Sequence, residues 1–116
     1  MMTEEILEVS TIVRAGVAVV SAGGEVDVST APRLRDQLAT LPVDARRVVV
    51  DLSEVTFLDS RGLGVLVGAW KKCQESGVTL DLVVTRPPVA KVLEITRLDD
   101  MFTVFGSLDE ALSDEH

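Results

Sequence analysis

Strands alternating with helices, in a chain too short for two domains, predict an α/β sandwich of about five mixed, mostly parallel strands and four helices. Three observations carry that prediction. Val48-Val49-Val50 is a continuous β-branched run of the kind found in a strand buried on both faces. Leu63, Leu66, Val67 and Trp70 follow it at helical spacing. The 116 residues contain no repeat, no linker and no low-complexity tract, so residues 1–116 are expected to form a single domain with a core over about residues 7–112.

Each element has its own signal. Leu7 to Val13 and Val17 to Ser21 are β-rich runs separated by Arg14-Ala15-Gly16, which reads as a hairpin and makes the first pair antiparallel. Right-handed crossovers make the remaining pairs parallel. After Gly23-Gly24 the chain reaches Glu25-Val26-Asp27, and a helix starts at Ser29 or Thr30 with Pro32 tolerated in its first turn. Its apolar stripe is Leu34, Leu38 and Leu41, and Pro42 stops it. Arg46 to Leu52 is the next strand, Ser60 caps the second helix, and Gly77 ends that helix. Leu80 to Thr85 is a further buried strand. Pro87-Pro88 opens a third helix carrying Val89, Val92 and Leu93. Met101 to Phe105 is a short last strand, and Ser107 with Glu110 forms a capping box for a short final helix.

Composition narrows the function. Hydrophobic residues make up 47% and charged residues 26%, as in an ordinary globular domain. Aromatics are only 3%, with no Tyr, so there is little to stack on exposed bases. The formal net charge of -8 repels nucleic acid and anionic membranes and leaves a basic protein surface as the natural partner. The start, Met1-Met2-Thr3-Glu4-Glu5, is acidic where an export signal is basic, and the apolar stretch Gly62 to Trp70 is too short to span a bilayer. A cytoplasmic location is expected. Cys73, the single cysteine, excludes an internal disulfide and a cysteine metal cluster, and its spacing after Trp70 reads as a half-buried helix position. His116, the single histidine, is the last residue, so a Ser-His-Asp triad is unsupported. No catalytic residue, metal or cofactor is expected.

The topology directs attention to one edge. Loops after the second, third and fourth strands emerge at the C-terminal edge of the parallel strands, where open α/β sheets place ligand sites. They bring Asp27, Ser29 and Thr30, then Asp59, Ser60 and Arg61, then Thr85 and Arg86. Gly62 and Gly64 leave the first turn of the second helix without bulky side chains, which lets another protein's backbone approach. An anion added at that helix N-terminus is tolerated, worth about 0.3–1 kcal/mol from the dipole. Competing chemistries fare worse. Asp27 and Asp59 as an acid–base pair are outweighed by solvated carboxylates near helix starts, or by partner contacts. Gly62-Leu63-Gly64 lacks the third glycine of a dinucleotide fingerprint, since Val67 stands there, and no P-loop lysine follows. Asp51 would suit a phospho-aspartate receiver, but Arg14-Ala15-Gly16 stands where such a domain needs acidic residues for magnesium. After Arg97 only acidic charges follow (Asp99, Asp100, Asp109, Glu110, Asp114, Glu115), read as a solvated helix and frayed tail.

Asp59-Ser60-Arg61-Gly62-Leu63-Gly64, following Val48-Val49-Val50-Asp51-Leu52, resembles the phosphorylation loop of the STAS domain, and most of all that of bacterial anti-sigma factor antagonists. Gly24-Glu25-Val26-Asp27 resembles the same family's segment between second strand and first helix. The element order matches from about Leu7 to Leu112. The resemblance implies a STAS-like sandwich and a protein that, unphosphorylated, binds an anti-sigma factor and so frees a sigma factor. It implies a serine kinase, typically the anti-sigma factor itself, and a phosphatase that resets the switch. By position Ser60 matches the phosphoacceptor, and Asp27 matches an acidic residue that faces the partner. Asp27, Ser29, Thr30, Asp59, Arg61, Gly62 and Gly64 are the expected contact residues. Arg61 departs from the small residue often found there, and a cation beside the acceptor can pair with phosphate or alter kinase recognition. The alternative is a STAS scaffold or nucleotide-sensing module within a larger assembly or transporter complex.

Overall fold

A computed structural model describes residues 6–42 and 44–113. The chain runs through β1 (Leu7–Arg14), β2 (Val17–Val26), α1 (Ala31–Ala39), β3 (Arg47–Leu58), α2 (Ser60–Glu75), β4 (Thr79–Val83), α3 (Pro87–Ile95), β5 (Thr103–Phe105) and α4 (Leu108–Ser113), with a 3-10 turn at Leu98–Asp100. These are the expected five strands and four helices. The sheet order β1-β2-β3-β4-β5 follows the chain, with β1–β2 antiparallel and every other pair parallel. The hairpin turn is Ala15-Gly16, with φ of 52° and 80°, the left-handed pair that a two-residue turn needs to match strand twist.

Two strands are longer than the sequence implies, and both extensions bear on function. β2 was expected to end at Ser21, before Gly23-Gly24. Instead these glycines are irregularities within a strand that continues to Val26, with register shifts between Ser21 and Gly23 and between Gly24 and Glu25. Gly24 has φ of 120°, and a side chain there would strike the Ile6 carbonyl. β3 was expected to end at Leu52 but runs to Leu58. Its pairing with β4 stops at Asp51 opposite Val83, while its pairing with β2 continues to Val26 opposite Leu58. A two-stranded ribbon therefore extends past the sheet.

α1 and α2 cover one face of the sheet. Leu34 and Leu66 pack there with Val20, Val48, Val50, Leu52 and Leu82, all fully buried. Leu63, Val67 and Trp70 are half-buried around them, and Trp70 meets Phe102 edge-on at 6.4 Å. Leu41 lies beyond the end of α1 at Ala39, yet packs on the same core from the loop. Cys73 is half-buried as expected, and burial raises its thiol pKa against a smaller opposing effect of Lys72. α3 adds Val89 and Leu93 to the same core. α4 alone among the helices serves the other face, where Ala111 joins Val49, Val83 and Phe105. Ser107 Oγ accepts from the Glu110 N–H at 3.1 Å, half of the expected capping box. Arg47 and Asp81 form a buried ion pair, with Nη2 at 2.8 Å and Nε at 3.0 Å from Oδ2. Gly77, with φ of 71°, ends α2 after the C-cap Ser76, as its type predicts. The acidic start, His116 and the tail residues Asp114 and Glu115 lie outside the described residues.

Candidate functional site

α2 starts at the end of β3, and its cap is Asp59 rather than the expected Ser60. Asp59 is extended (φ -102°, ψ -172°), and its Oδ1 accepts from the N–H of Arg61 at 2.9 Å and of Gly62 at 3.2 Å. Both residue types cap well, but a carboxylate also meets the positive end of the helix dipole with a full charge. Ser60 is thereby the first helical residue. It is exposed, and among the described residues its hydroxyl has no hydrogen-bond partner.

The second loop is organised by Asp27. Its Oδ1 accepts from the N–H of Ser29 at 2.9 Å, the hydroxyl of Ser29 at 2.8 Å and the N–H of Thr30 at 3.1 Å. Thr30 Oγ1 accepts from the Asp27 N–H at 2.9 Å and donates to the Glu25 carbonyl at 2.7 Å. This is an Asx-type turn leading into α1. Two expectations change here. Asp27 is half-buried and tied into its own loop rather than a freely solvated carboxylate. Thr30, expected as a surface contact, is only 4% exposed, and its hydroxyl is bonded within its own loop.

The β2–β3 ribbon holds the two loops side by side. Val26 is opposite Leu58, and the Asp59 N–H donates to the Val26 carbonyl at 3.1 Å. Gly62 sits directly on this junction. A Cβ there would overlap Leu58 and come within 2.6 Å of Val26 Cγ1, so the glycine lets α2 seat on the ribbon. That corrects its expected part in admitting another protein's backbone. Gly64, by contrast, is exposed with no atom within 4 Å of an added Cβ. The surface therefore presents Ser29, Ser60, Arg61 and Gly64, with part of Asp27 and Asp59.

Thr85 and Arg86 were expected to join this cluster and do not. Thr85 Oγ1 and Arg86 Nε each donate to the Ser53 carbonyl at 3.1 Å, and Arg86 Nη2 reaches Glu54 at 3.1 Å. Five further residues of β3, Glu54 to Leu58, separate Ser53 from Asp59, a span of about 20 Å of extended chain. The cause is the ribbon: β4 stops where β2 and β3 continue.

Other features of this region escaped the sequence reading. Val28, within the Asp27 loop, and Phe57, near the end of β3, are 61% and 47% exposed. The single signal for Phe57 was its rarity, an aromatic in a chain nearly without them. A groove of about 380 Å³ also opens between α1 and α2, floored by Leu38, Gly64, Val65 and Gly68 and flanked by Arg35, Arg61 and Lys72. Gly64 and Gly68, four apart on one helix face, were its legible trace. Among the described residues no group of three His, Cys, Asp or Glu side chains could hold a metal, and no helix is long and apolar enough to cross a membrane. What the site offers chemically is an exposed serine hydroxyl at a helix start, released from capping.

Comparison with known proteins agrees with this geometry. The STAS domain family model matches residues 8–111. The chain is 38% identical over 102 residues to the anti-sigma-F factor antagonist RsfB of Mycobacterium tuberculosis, covering 84% of this chain and 80% of RsfB. It is 34% identical over 85 residues to the anti-sigma-B factor antagonist of Bacillus subtilis, covering 73% and 78% respectively. Among solved structures, an anti-sigma factor antagonist from Mycobacterium paratuberculosis superposes with a TM-score of 0.87 at 31% identity, over 97% of both chains. The paired loops on a β2–β3 ribbon, the open serine at the start of α2 and a family match over nearly the whole sequence lead to one assignment: the chain belongs to the STAS domain family.

Proposed function

We propose that this chain is an anti-sigma factor antagonist in which a phosphate on Ser60 decides whether it binds its anti-sigma factor. The observation that carries this reading is the division of labour between Asp59 and Ser60: the aspartate caps α2, so the serine hydroxyl is exposed and free of any structural task. Relatives of 34–38% identity bear the name of anti-sigma factor antagonist, which supplies the class of partner. In this reading the partner is a serine kinase that modifies Ser60 when bound, and a phosphatase removes the phosphate. The protein works in the cytoplasm, needs no cofactor, catalyses no reaction of its own and contacts neither nucleic acid nor membrane.

The contact surface in this proposal is Asp27, Ser29, Asp59, Ser60, Arg61 and Gly64, with exposed Val28 and Phe57 as apolar flanks. Thr30 and Gly62 hold its shape from below. A phosphoserine adds about -1.5 to -2 charges, taking the net charge from -8 to roughly -10. Locally the phosphate meets a favourable helix start and Arg61 on one side and Asp59 on the other, each a small effect. Across an interface the same charge must be desolvated against groups placed for a neutral hydroxyl, which costs several kcal/mol, roughly a hundredfold or more in affinity. Phosphosite mapping by mass spectrometry, after incubation with the cognate kinase and ATP, tests the assignment. Stoichiometric phosphate on Ser60 is expected; phosphate on Ser29, Thr30 or Ser53 in its place would refute it.

A further inference from the structure

β1 occupies one edge of the sheet and is eight residues long, against three for β5 at the other edge. A long regular edge carries N–H and C=O groups able to pair with another strand. Which groups these are follows from the hairpin. A two-residue turn places its flanking residues, here Arg14 and Val17, in a hydrogen-bonded pair, and such pairs recur at every second position. Even-numbered residues of β1 therefore bond to β2, and Val9, Thr11 and Val13 turn their amides outward. Leu7 obeys the same parity, since Arg33 Nη1 of α1 donates to its carbonyl at 3.4 Å and closes that end of the edge. Among the described residues nothing bonds the backbone of Val9, Thr11 or Val13 from outside.

The side chains of this edge complement themselves. Thr11 Oγ1 accepts from Gln37 of α1, so odd residues lie on the α1 face of the sheet and Glu8, Ser10, Ile12 and Arg14 on the opposite face. All four are exposed, Ile12 to 64%. Glu8 and Arg14 take part in no ion pair among the described residues. Antiparallel pairing with a second β1 centred on Thr11 sets Val9 against Val13 and Thr11 against Thr11, all with outward amides. The closer, non-hydrogen-bonded pairs are then Glu8 with Arg14 and Ser10 with Ile12, where side chains interact most. Both ion pairs form by symmetry, and the two Ile12 side chains become diagonal neighbours, about 7–8 Å apart, each covering the other. A register shifted by two residues sets Glu8 against Ile12, or Arg14 against Ser10, and matches neither charge. A shift by one turns each side chain to the wrong face.

We propose that this chain self-associates by antiparallel β1–β1 pairing centred on Thr11, joining five strands from each copy into one continuous sheet. The contact is one strand wide, so the association is weak and concentration-dependent. Sedimentation velocity of the full-length protein, over concentrations rising to about a millimolar, is the test. A dimer is expected to grow in with concentration. Glu8→Arg alone, or Arg14→Glu alone, sets like charges opposite each other twice and weakens association on the order of tenfold. The combined exchange restores it to within about threefold of the original protein. Val13→Pro removes an outward amide and no bond to β2, so it abolishes the dimer while the melting temperature holds within a few degrees. A monomer at every concentration overturns the proposal. So does a dimer indifferent to all of these changes, or a folded double exchange that fails to restore association.

Discussion

Asp59 and Ser60 are neighbours of types that both cap helices, and the functional reading depends on which one does. Oδ1 of Asp59 holds two of the free N–H groups of α2, at 2.9 and 3.2 Å. Removing a cap of this kind costs about 1–2 kcal/mol. Asp59→Ala is therefore expected to lower the melting temperature by several degrees, roughly 4–8 °C per kcal/mol in a domain of this size, whereas Ser60→Ala leaves it nearly unchanged. Differential scanning calorimetry of the two variants checks this; the opposite ranking would return the capping task to Ser60. Asp27 is constrained in the same manner, its carboxylate holding Ser29 and Thr30 in a turn. Asp27→Asn keeps an acceptor oxygen and is expected to preserve the fold, so any loss of partner binding in that variant reports the lost charge. Circular dichroism melting beside a binding titration separates the two.

At the scale of elements, the seating of α2 on the β2–β3 ribbon sets the geometry of the loop. Gly62 has no room for a methyl group between Leu58 and Val26, while Gly64 has open space around it. Gly62→Ala is expected to cost about 1–3 kcal/mol through overpacking. Gly64→Ala, on an exposed helix position, is expected to be stabilising by about 0.5–1 kcal/mol. Urea denaturation of the pair is decisive, since equal effects would mean that α2 seats differently. The same junction marks the limit of what the sequence revealed. Each of the nine main elements was legible from periodicity and caps, because Val48-Val49-Val50, the Leu63–Trp70 stripe and the Pro87-Pro88 start are local signals. The ribbon was not. The β-rich run stops at Ser21 before Gly23-Gly24, and Ser53 to Thr56 carry no continuous apolar run, so nothing local showed that β2 and β3 outlast β4. That extension is why the loop of Asp27 and Ser29 lies beside that of Ser60 and Arg61, while Thr85 and Arg86, grouped with them from the sequence, lie beside Ser53 and Glu54.

At the scale of the whole molecule, two clusters of mainly aliphatic side chains hold a sheet covered by α1, α2 and α3 on one face and by α4 on the other. Under this second layer lies the Arg47–Asp81 pair, both side chains buried and the guanidinium 6.0 Å from the Phe105 ring centre. Removing one member leaves a charge stranded, so Asp81→Ala is expected to destabilise by about 3–5 kcal/mol, a large share of the stability of such a domain, as chemical denaturation would read. The Ser60 loop stands apart from that interior, on a ribbon extending past the sheet. A charge added there can change what the surface binds without disturbing the packing that holds the fold. Calorimetric titration of the proposed partner, an anti-sigma factor, with unphosphorylated protein, and then with protein carrying one phosphate on Ser60, measures this directly. The expected result is at least a hundredfold weaker binding of the phosphorylated form, with melting temperatures of the two forms within a few degrees. Equal affinity of the two forms, or a phosphorylated form that binds weakly because it has unfolded, would contradict the switch.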